Sequence, residues 1–205
     1  SLESYEDALS NIDLDDQKHQ VAMQFGDEYL VQYMLNYEAE GSMLKLADFT
    51  APFSYHMRMI ENNETVDRRV DLCETFNYLI GLTVISQSAM TCFRAIPDER
   101  GAYEGAVRLE KDDCGEYGFK QITGTLPDGK RALVIWRTIT KDLHASNAAL
   151  DAYFAKHSFN PADWEFDIIY VNGDSNLENL RRDDETWKVQ RIEPVFKEKM
   201  FEEAE

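Results

Sequence analysis

The sequence predicts a mixed α/β (α+β) protein: a mixed sheet with an antiparallel meander and one βαβ unit, preceded by an N-terminal helical arm. Three observations support this. Residues 83 to 139 hold several short strand-like runs separated by turn residues, the pattern of antiparallel strands. The last of these runs contains a continuous apolar stretch, Ala132 to Arg137 (ALVIWR). A helical segment and a second apolar run, Phe166 to Val171 (FDIIYV), follow it at the length of a strand–helix–strand unit. Near the N-terminus, Tyr29, Leu30, Tyr33, Met34 and Tyr37 recur at helical spacing.

Taken in order, Ser4-Tyr5-Glu6-Asp7 reads as a capping box opening a short helix with Ala8, Leu9 and Ile12. Asp13 to Gln20 is polar and belongs at the surface. The helix from Asp27 ends near Gly41, where a C-cap glycine is expected. Met43 to Pro52 reads as loop, and Phe53 to Ile60 alternates like a strand. Val66 to Leu79 is expected as a helix with Val70, Cys73, Phe76, Asn77 and Ile80 on its inner stripe, ended by Gly81. Thr83 to Phe93, Gly105 to Glu110, Gly118 to Thr125 and Arg131 to Ile139 are strand-like. Pro127-Asp128-Gly129 marks a hairpin turn between the last two. Asn147 to His157 is helical, Asn160-Pro161 makes a turn, and Asn172-Gly173 stops the second apolar strand. The two apolar strands should be parallel, with a right-handed crossover. Trp187 to Ile192 adds a strand, and Pro194 suits the first turn of a last helix carrying Val195, Phe196 and Met200. The whole chain, 1–205, is expected as a single accessory domain, with a helical arm over 1–60 and an α/β body over 61–205.

An apolar fraction of 43% and 24 aromatics (Trp 3, Tyr 10, Phe 11) predict a packed core and exclude a disordered chain. No apolar run reaches the roughly 18 residues that span a bilayer. Cys73, Cys92 and Cys114 form no CxxC pair, and the first residues lack the pattern of a secretory signal, so a reducing cytoplasm is the expected compartment. The formal charge of −18 disfavours direct binding to phosphate backbones, which depends on Lys and Arg, and favours contact with a protein.

Motifs that carry chemistry are scarce. His19, His56, His144 and His157 show no HxxxH or HExxH spacing, so no metal ligand set is expected. No GxxxxGK[ST], GxGxxG or Gly-x-Ser-x-Gly occurs, and Gly101, Gly105, Gly115 and Gly118 read as turn residues. Asp98 with Asp128 and Lys130 only crudely imitates a metal-dependent nuclease, and Asp128-Gly129 is better explained as the hairpin turn. The acid pairs Asp15-Asp16, Asp112-Asp113 and Asp183-Asp184 lack the periodicity of a calcium loop. Cys73 belongs to an apolar helix face and reads as core. No catalytic, cofactor or metal residue is therefore expected. What stands out is the polar stretch after the second apolar strand. In it Asn172, Asp174, Arg181, Arg182, Trp187 and Lys188 are candidates for contact with a partner or with DNA, because arginine beside tryptophan suits both.

Seven blocks carry a resemblance: LESYEDALSNI from Leu2, QYMLNYEAEGSML from Gln32, VDLCETFNYLIGLTV from Val70, KRALVIWR from Lys130, NAALDAYF from Asn147, FDIIYVNGDSNLENLR from Phe166 and TWKVQRIEPVFKEKM from Thr186. In this order, over nearly the whole chain, they resemble the region after the catalytic domain in type III, adenine-specific DNA methyltransferases (the Mod subunit). The short link from Met59 to Asp67 departs from that pattern, where a longer insertion is expected. The resemblance implies a parent enzyme that uses S-adenosylmethionine to methylate an adenine amino group. It also implies partners: the methyltransferase core and its dimer mate, the restriction (Res) subunit, and DNA through the whole complex, with no membrane. The DPPY-like and FxGxG-like motifs of such enzymes are missing from this sequence, so no catalytic role is carried to any residue, and no cofactor is expected in this chain itself. Two other readings stand beside this one: a cryptic metal-dependent nuclease or hydrolase, and an acidic DNA mimic that inhibits a basic partner.

Overall fold

The computed structural model describes residues 49–61, 64–101, 103–180 and 187–201. The helices expected at Ser4 to Ile12 and from Asp27 to Gly41 lie outside the described residues. The chain divides into two compact units, Ser1–Leu44 with His56–Val70, and Lys45–Tyr55 with Asp71–Glu205.

Within the first unit, β1 (His56–Glu61) and β2 (Glu64–Arg69) form an antiparallel hairpin, in register from His56↔Arg69 to Glu61↔Glu64. This corrects two expectations. The strand expected from Phe53 starts at His56, because Pro52–Ser54 is a turn of 3-10 helix. The helix expected from Val66 does not begin there, since residues 64 to 69 pair as a strand. The Met59 to Asp67 link is thus largely this hairpin.

In the second unit, helix α1 (Leu72–Leu79) starts where a cap exists. The Asp71 carboxylate accepts from the backbone N–H groups of Cys73 (2.9 Å) and Glu74 (3.1 Å), which satisfies donors that have no partner inside the helix. Gly81, at φ +65°, ends it as expected.

The sheet has seven strands: β3 (Thr83–Gln87), β4 (Thr91–Pro97), β5 (Val107–Lys111), β6 (Tyr117–Thr125), β7 (Arg131–Arg137), β8 (Ile168–Val171) and β9 (Val189–Arg191). Their order is β5-β4-β6-β7-β8-β9, with β3 also on β6. The run from Thr83 to Phe93, read as one strand, is two. β3 pairs with the second half of β6 (Thr83↔Thr125 to Gln87↔Ile122) and β4 with the first (Thr91↔Phe119 to Phe93↔Tyr117). Ser88 joins them, its hydroxyl accepting from the Gln121 N–H at 3.0 Å. The antiparallel part is therefore not a simple meander, because β5 lies outside β4 rather than between β4 and β6. The Pro127-Asp128-Gly129 turn joins β6 to β7 as expected, with Gly129 at φ +84°.

The βαβ unit is present. Strands β7 and β8 are parallel, from Ala132↔Ile168 to Ile135↔Val171, and helix α2 (Leu143–His157) connects them. The helix starts a turn earlier than Asn147, because Asp142 caps it by accepting from the Ala145 N–H at 3.0 Å. β9 adds a second parallel pairing to β8, and α3 (Ile192–Phe201) follows it directly with Pro194 in its first turn.

Successive strand residues point to opposite faces, so a strand covered on both faces must be apolar throughout. Every residue from Ala132 to Arg137 is buried. Leu133 and Ile135 join Ile169, Val171, Leu150, Tyr153 and Phe154 in the core under α2. Trp136 belongs to an aromatic cluster with Phe49, Phe76, Tyr170 and Phe196. In it Phe76 meets Tyr170 edge-on at 5.3 Å and stacks on Phe196 at 6.0 Å. No helix among the described residues is long and apolar enough to cross a membrane.

Phe76 touches three of the other four rings. Phe76→Ala is expected to lower unfolding free energy by about 3–5 kcal/mol, read from the urea midpoint. A loss below about 1 kcal/mol would mean that the cluster does not hold α1 and α3 on the sheet.

Candidate functional site

Parallel strands end at a common edge, and ligands of α/β sheets gather beyond those carboxyl ends. Here that edge is occupied by the chain itself. Arg137, the last residue of β7, is 1% exposed. Its Nε donates to the Asn172 carbonyl (3.3 Å) and its Nη1 to the Ser146 carbonyl (2.8 Å). Its Nη2 donates to Asn147 Oδ1 (3.1 Å) and to the Asp174 carbonyl (2.6 Å). Asn172, just past β8, answers it. Asn172 Oδ1 accepts from the Arg137 N–H at 2.8 Å, and Nδ2 donates to the carbonyls of Arg137 (2.8 Å) and Phe49 (2.7 Å). Burial pulls the Arg137 guanidinium down to about 10, while the negative charges of Glu193, Asp151 and Asp174 work in the opposite direction. It is still a cation at neutral pH.

Acidic residues surround this pair. Glu193 Oε1 accepts from the Gly173 N–H at 2.6 Å, and its other oxygen lies 3.6 Å from Arg191 Nε. Arg191 also meets the exposed Asp174 carboxylate at 2.8 Å. Asp151 on α2 accepts from the Tyr103 hydroxyl at 2.9 Å. Burial raises the Asp151 carboxyl, and the Tyr103 hydrogen bond and the Arg137 charge counter it. Tyr103 itself is pushed up to about 12, first by burial and then by Asp151. Gly173 adopts φ +73°, and a Cβ there would lie 2.3 Å from Ile139 Cδ1, so only glycine fits this turn.

The six candidate contact residues do not form one site. Asn172 and Asp174 lie at the carboxyl edge, Trp187 and Lys188 at the amino edge, with the length of β8 between them, about 13 Å of strand. Arg181 and Arg182 lie outside the described residues. Two candidates need correction as contact residues. Asn172 is wholly buried, with its amide spent inside the fold. Lys188 is 6% exposed, and its ammonium donates to the Asp163 carbonyl. Asp174 and Trp187 remain at the surface, Trp187 at 46% exposure.

The amino edge also holds a residue missed in the sequence. Trp164, in the loop before β8, is 83% exposed, and Leu180 is 41% exposed. Its signal was local: a tryptophan standing among the turn residues Asn160, Pro161 and Asp163 has little room in a core. The loop is held by hydrogen bonds. Asn160 Oδ1 accepts from the Ala162 N–H (2.9 Å), Asp163 Oδ1 accepts from the Glu165 N–H (2.9 Å), and Arg131 donates to the Trp164 carbonyl.

Elsewhere, the nuclease-like set is dispersed. Asp98 follows β4 beyond the first residue of β6, and Asp128 follows the last, so the full length of β6 separates them. The Asp128 carboxylate is engaged in its own turn, accepting from the Lys130 N–H at 3.0 Å. Cys73 is buried, which pushes its thiol up and away from reactivity. Among the described residues no group of three or more His, Cys, Asp or Glu could hold a metal ion. No protein-family profile, curated protein or solved structure matches the chain.

Two outcomes follow from this geometry. Asn172→Ala leaves one buried N–H and two buried carbonyls without a partner, so unfolding free energy should fall by at least about 3 kcal/mol. Asp174→Ala removes only an exposed ion pair and should cost no more than about 1 kcal/mol. Equal costs in thermal and urea melts would contradict the assignment.

The second outcome concerns pH. Asp151 has a folded pKa above its unfolded value. Its contribution to stability is therefore complete below the unfolded pKa and is lost as pH rises through the folded one. Tyr103→Phe removes a hydrogen bond that favours the carboxylate, so the Asp151 carbon chemical shift should titrate at still higher pH in NMR. A shift to lower pH would show that this bond does not act on the charged form.

Proposed function

We propose that this chain is a C-terminal accessory domain of an S-adenosylmethionine-dependent adenine DNA methyltransferase of the type III restriction–modification kind. By itself it is non-catalytic, and it works in subunit assembly, engaging DNA through the whole complex. The order of the seven blocks supports the family. One geometric observation carries the non-catalytic part. Two polar residues of these blocks, Arg137 in KRALVIWR and Asn172 in FDIIYVNGD, face inward and hold one another. Those blocks then have a packing reason for their composition and leave little for chemistry.

The net charge of −18 favours a protein partner over a phosphate backbone. The methyltransferase core, its dimer mate and the restriction subunit are the partners this reading names, and S-adenosylmethionine belongs to the core.

A tagged chain is expected to retain the core or the restriction subunit at moderate salt and to leave a target duplex in the flow-through. Retention of the duplex alone would move the domain to target recognition. Calorimetric binding of S-adenosylmethionine to this chain without the core would end the non-catalytic reading.

A further inference from the structure

Strands β5 and β6 lie on opposite sides of β4, and Phe93 pairs with Lys111 of one and Tyr117 of the other. The connection 112–116 therefore crosses β4 at Phe93. It crosses in contact with the strand: a Cβ on Gly115 would lie 2.3 Å from the Phe93 carbonyl carbon and oxygen and 2.8 Å from its nitrogen. Only glycine permits so close an approach. The Phe93 side chain fills the core under α2, so the crossing takes the opposite face. Strand alternation turns Cys92 and Arg94 to that same face, and there Arg94 meets the Asp112 carboxylate at 3.8 Å.

This crossing brings Cys114 to Cys92. The Asp112 N–H donates to the Cys92 carbonyl at 3.0 Å, and the Asp112 carboxylate accepts from the Cys114 N–H at 3.0 Å. Cys114 is thus held between Asp112, which is bonded to Cys92, and Gly115, which packs on the residue after Cys92. Bond lengths applied to the Gly115 contacts place its Cα within about 7 Å of the Cys92 Cα. A disulfide spans Cα separations of about 4.4–6.8 Å, so the neighbouring Cys114 stands at bridging range. Both cysteines are free thiols, Cys114 exposed and Cys92 partly so, with the half-exposed Met90 thioether 3.6 Å from the Cys92 sulfur. The third cysteine, Cys73, is buried in the core.

We infer that Cys92 and Cys114 form a redox couple that closes to a disulfide in response to a small-molecule disulfide. The exposed Cys114, as thiolate, attacks one sulfur of the oxidant and releases a first thiol. Cys92, as thiolate, then attacks the Cys114 sulfur of the mixed disulfide and releases a second. The two protein thiols are oxidised, the oxidant is reduced to two thiols, and the two cysteine protons end on them. The bridge ties the end of β5 to β4. Because β5 is the outermost strand and is paired to β4 alone, closure fixes the least supported strand of that side of the sheet.

The test uses the full, unmodified chain titrated with oxidised glutathione. Thiols are then counted after denaturation, and disulfides are mapped by mass spectrometry of non-reduced peptides. The count is expected to fall from three to one, with a peptide joining Cys92 to Cys114 within one chain, reversed by dithiothreitol. Closure should need at least roughly tenfold less oxidant in the folded chain than in urea, since the fold raises the effective concentration of one thiol at the other. In Cys92→Ser the reaction should stop at glutathione on Cys114. Three outcomes overturn the inference: glutathione left on Cys114 of the unmodified chain with Cys92 still free, bridges only between chains, or equal ease of closure in urea. Hydrogen exchange of the β5 amides should slow in the bridged chain, and unchanged exchange there overturns the role given to closure.

Discussion

The buried guanidinium of Arg137 constrains much of the second unit. An arginine taken out of water costs several kcal/mol unless its donors are met. Here four acceptors meet them, three main-chain carbonyls and the Asn147 amide oxygen. Those acceptors come from two separate segments: the first turns of α2 and the turn at 172 to 174 that follows β8. The planar fork reaches all of them only if each segment is in place. Asn172 extends the arrangement to the Phe49 carbonyl, which brings the 3-10 segment preceding β1 onto the sheet. The compensating charges of Glu193, Asp151 and Asp174 stand around the group rather than against it. Location of α2 and closure of the carboxyl edge thus follow from satisfying one cation, while Phe49 is docked by the Asn172 amide.

The two faces of the sheet depend on the same strand in a different way. Because β7 is covered on both sides, its alternate residues serve two cores, one under α2 and one built of aromatic rings. The rings contact each other mostly edge-on or offset, which favours one arrangement over a loosely packed apolar layer. The Asp71 cap sets where α1 begins, and so delivers Phe76 into the ring cluster.

The edges of the sheet divide the labour. At the carboxyl edge polar groups are numerous but are used by the fold. At the amino edge Trp164, Trp187 and Leu180 are exposed.

Much of the fold was legible because its causes are local. A continuous apolar run signals a strand covered on both faces, and Pro127-Asp128-Gly129 carries its own turn chemistry, so the βαβ unit and the hairpin could be read directly. Of the helix expected over Val66 to Leu79, residues 72 to 79 are helical as expected, but Val66 to Arg69 pair as a strand with His56 to Met59, and that pairing outweighs the helical spacing at its start. The candidate site was legible only as a list of residues. Asn172 and Trp187 belong to one polar stretch, but parallel strands oblige their connection to cross back to the starting edge, so its two ends emerge on opposite sides of the sheet. Which polar residues turn inward was likewise settled by distant partners: Arg137 for Asn172, and the Asp163 carbonyl for Lys188. The sequence by itself determined the segments, the acidic surface and the apolar centre. Only the tertiary structure decided the strand pairing and the closed carboxyl edge, because each arises from hydrogen bonds between residues far apart in the chain.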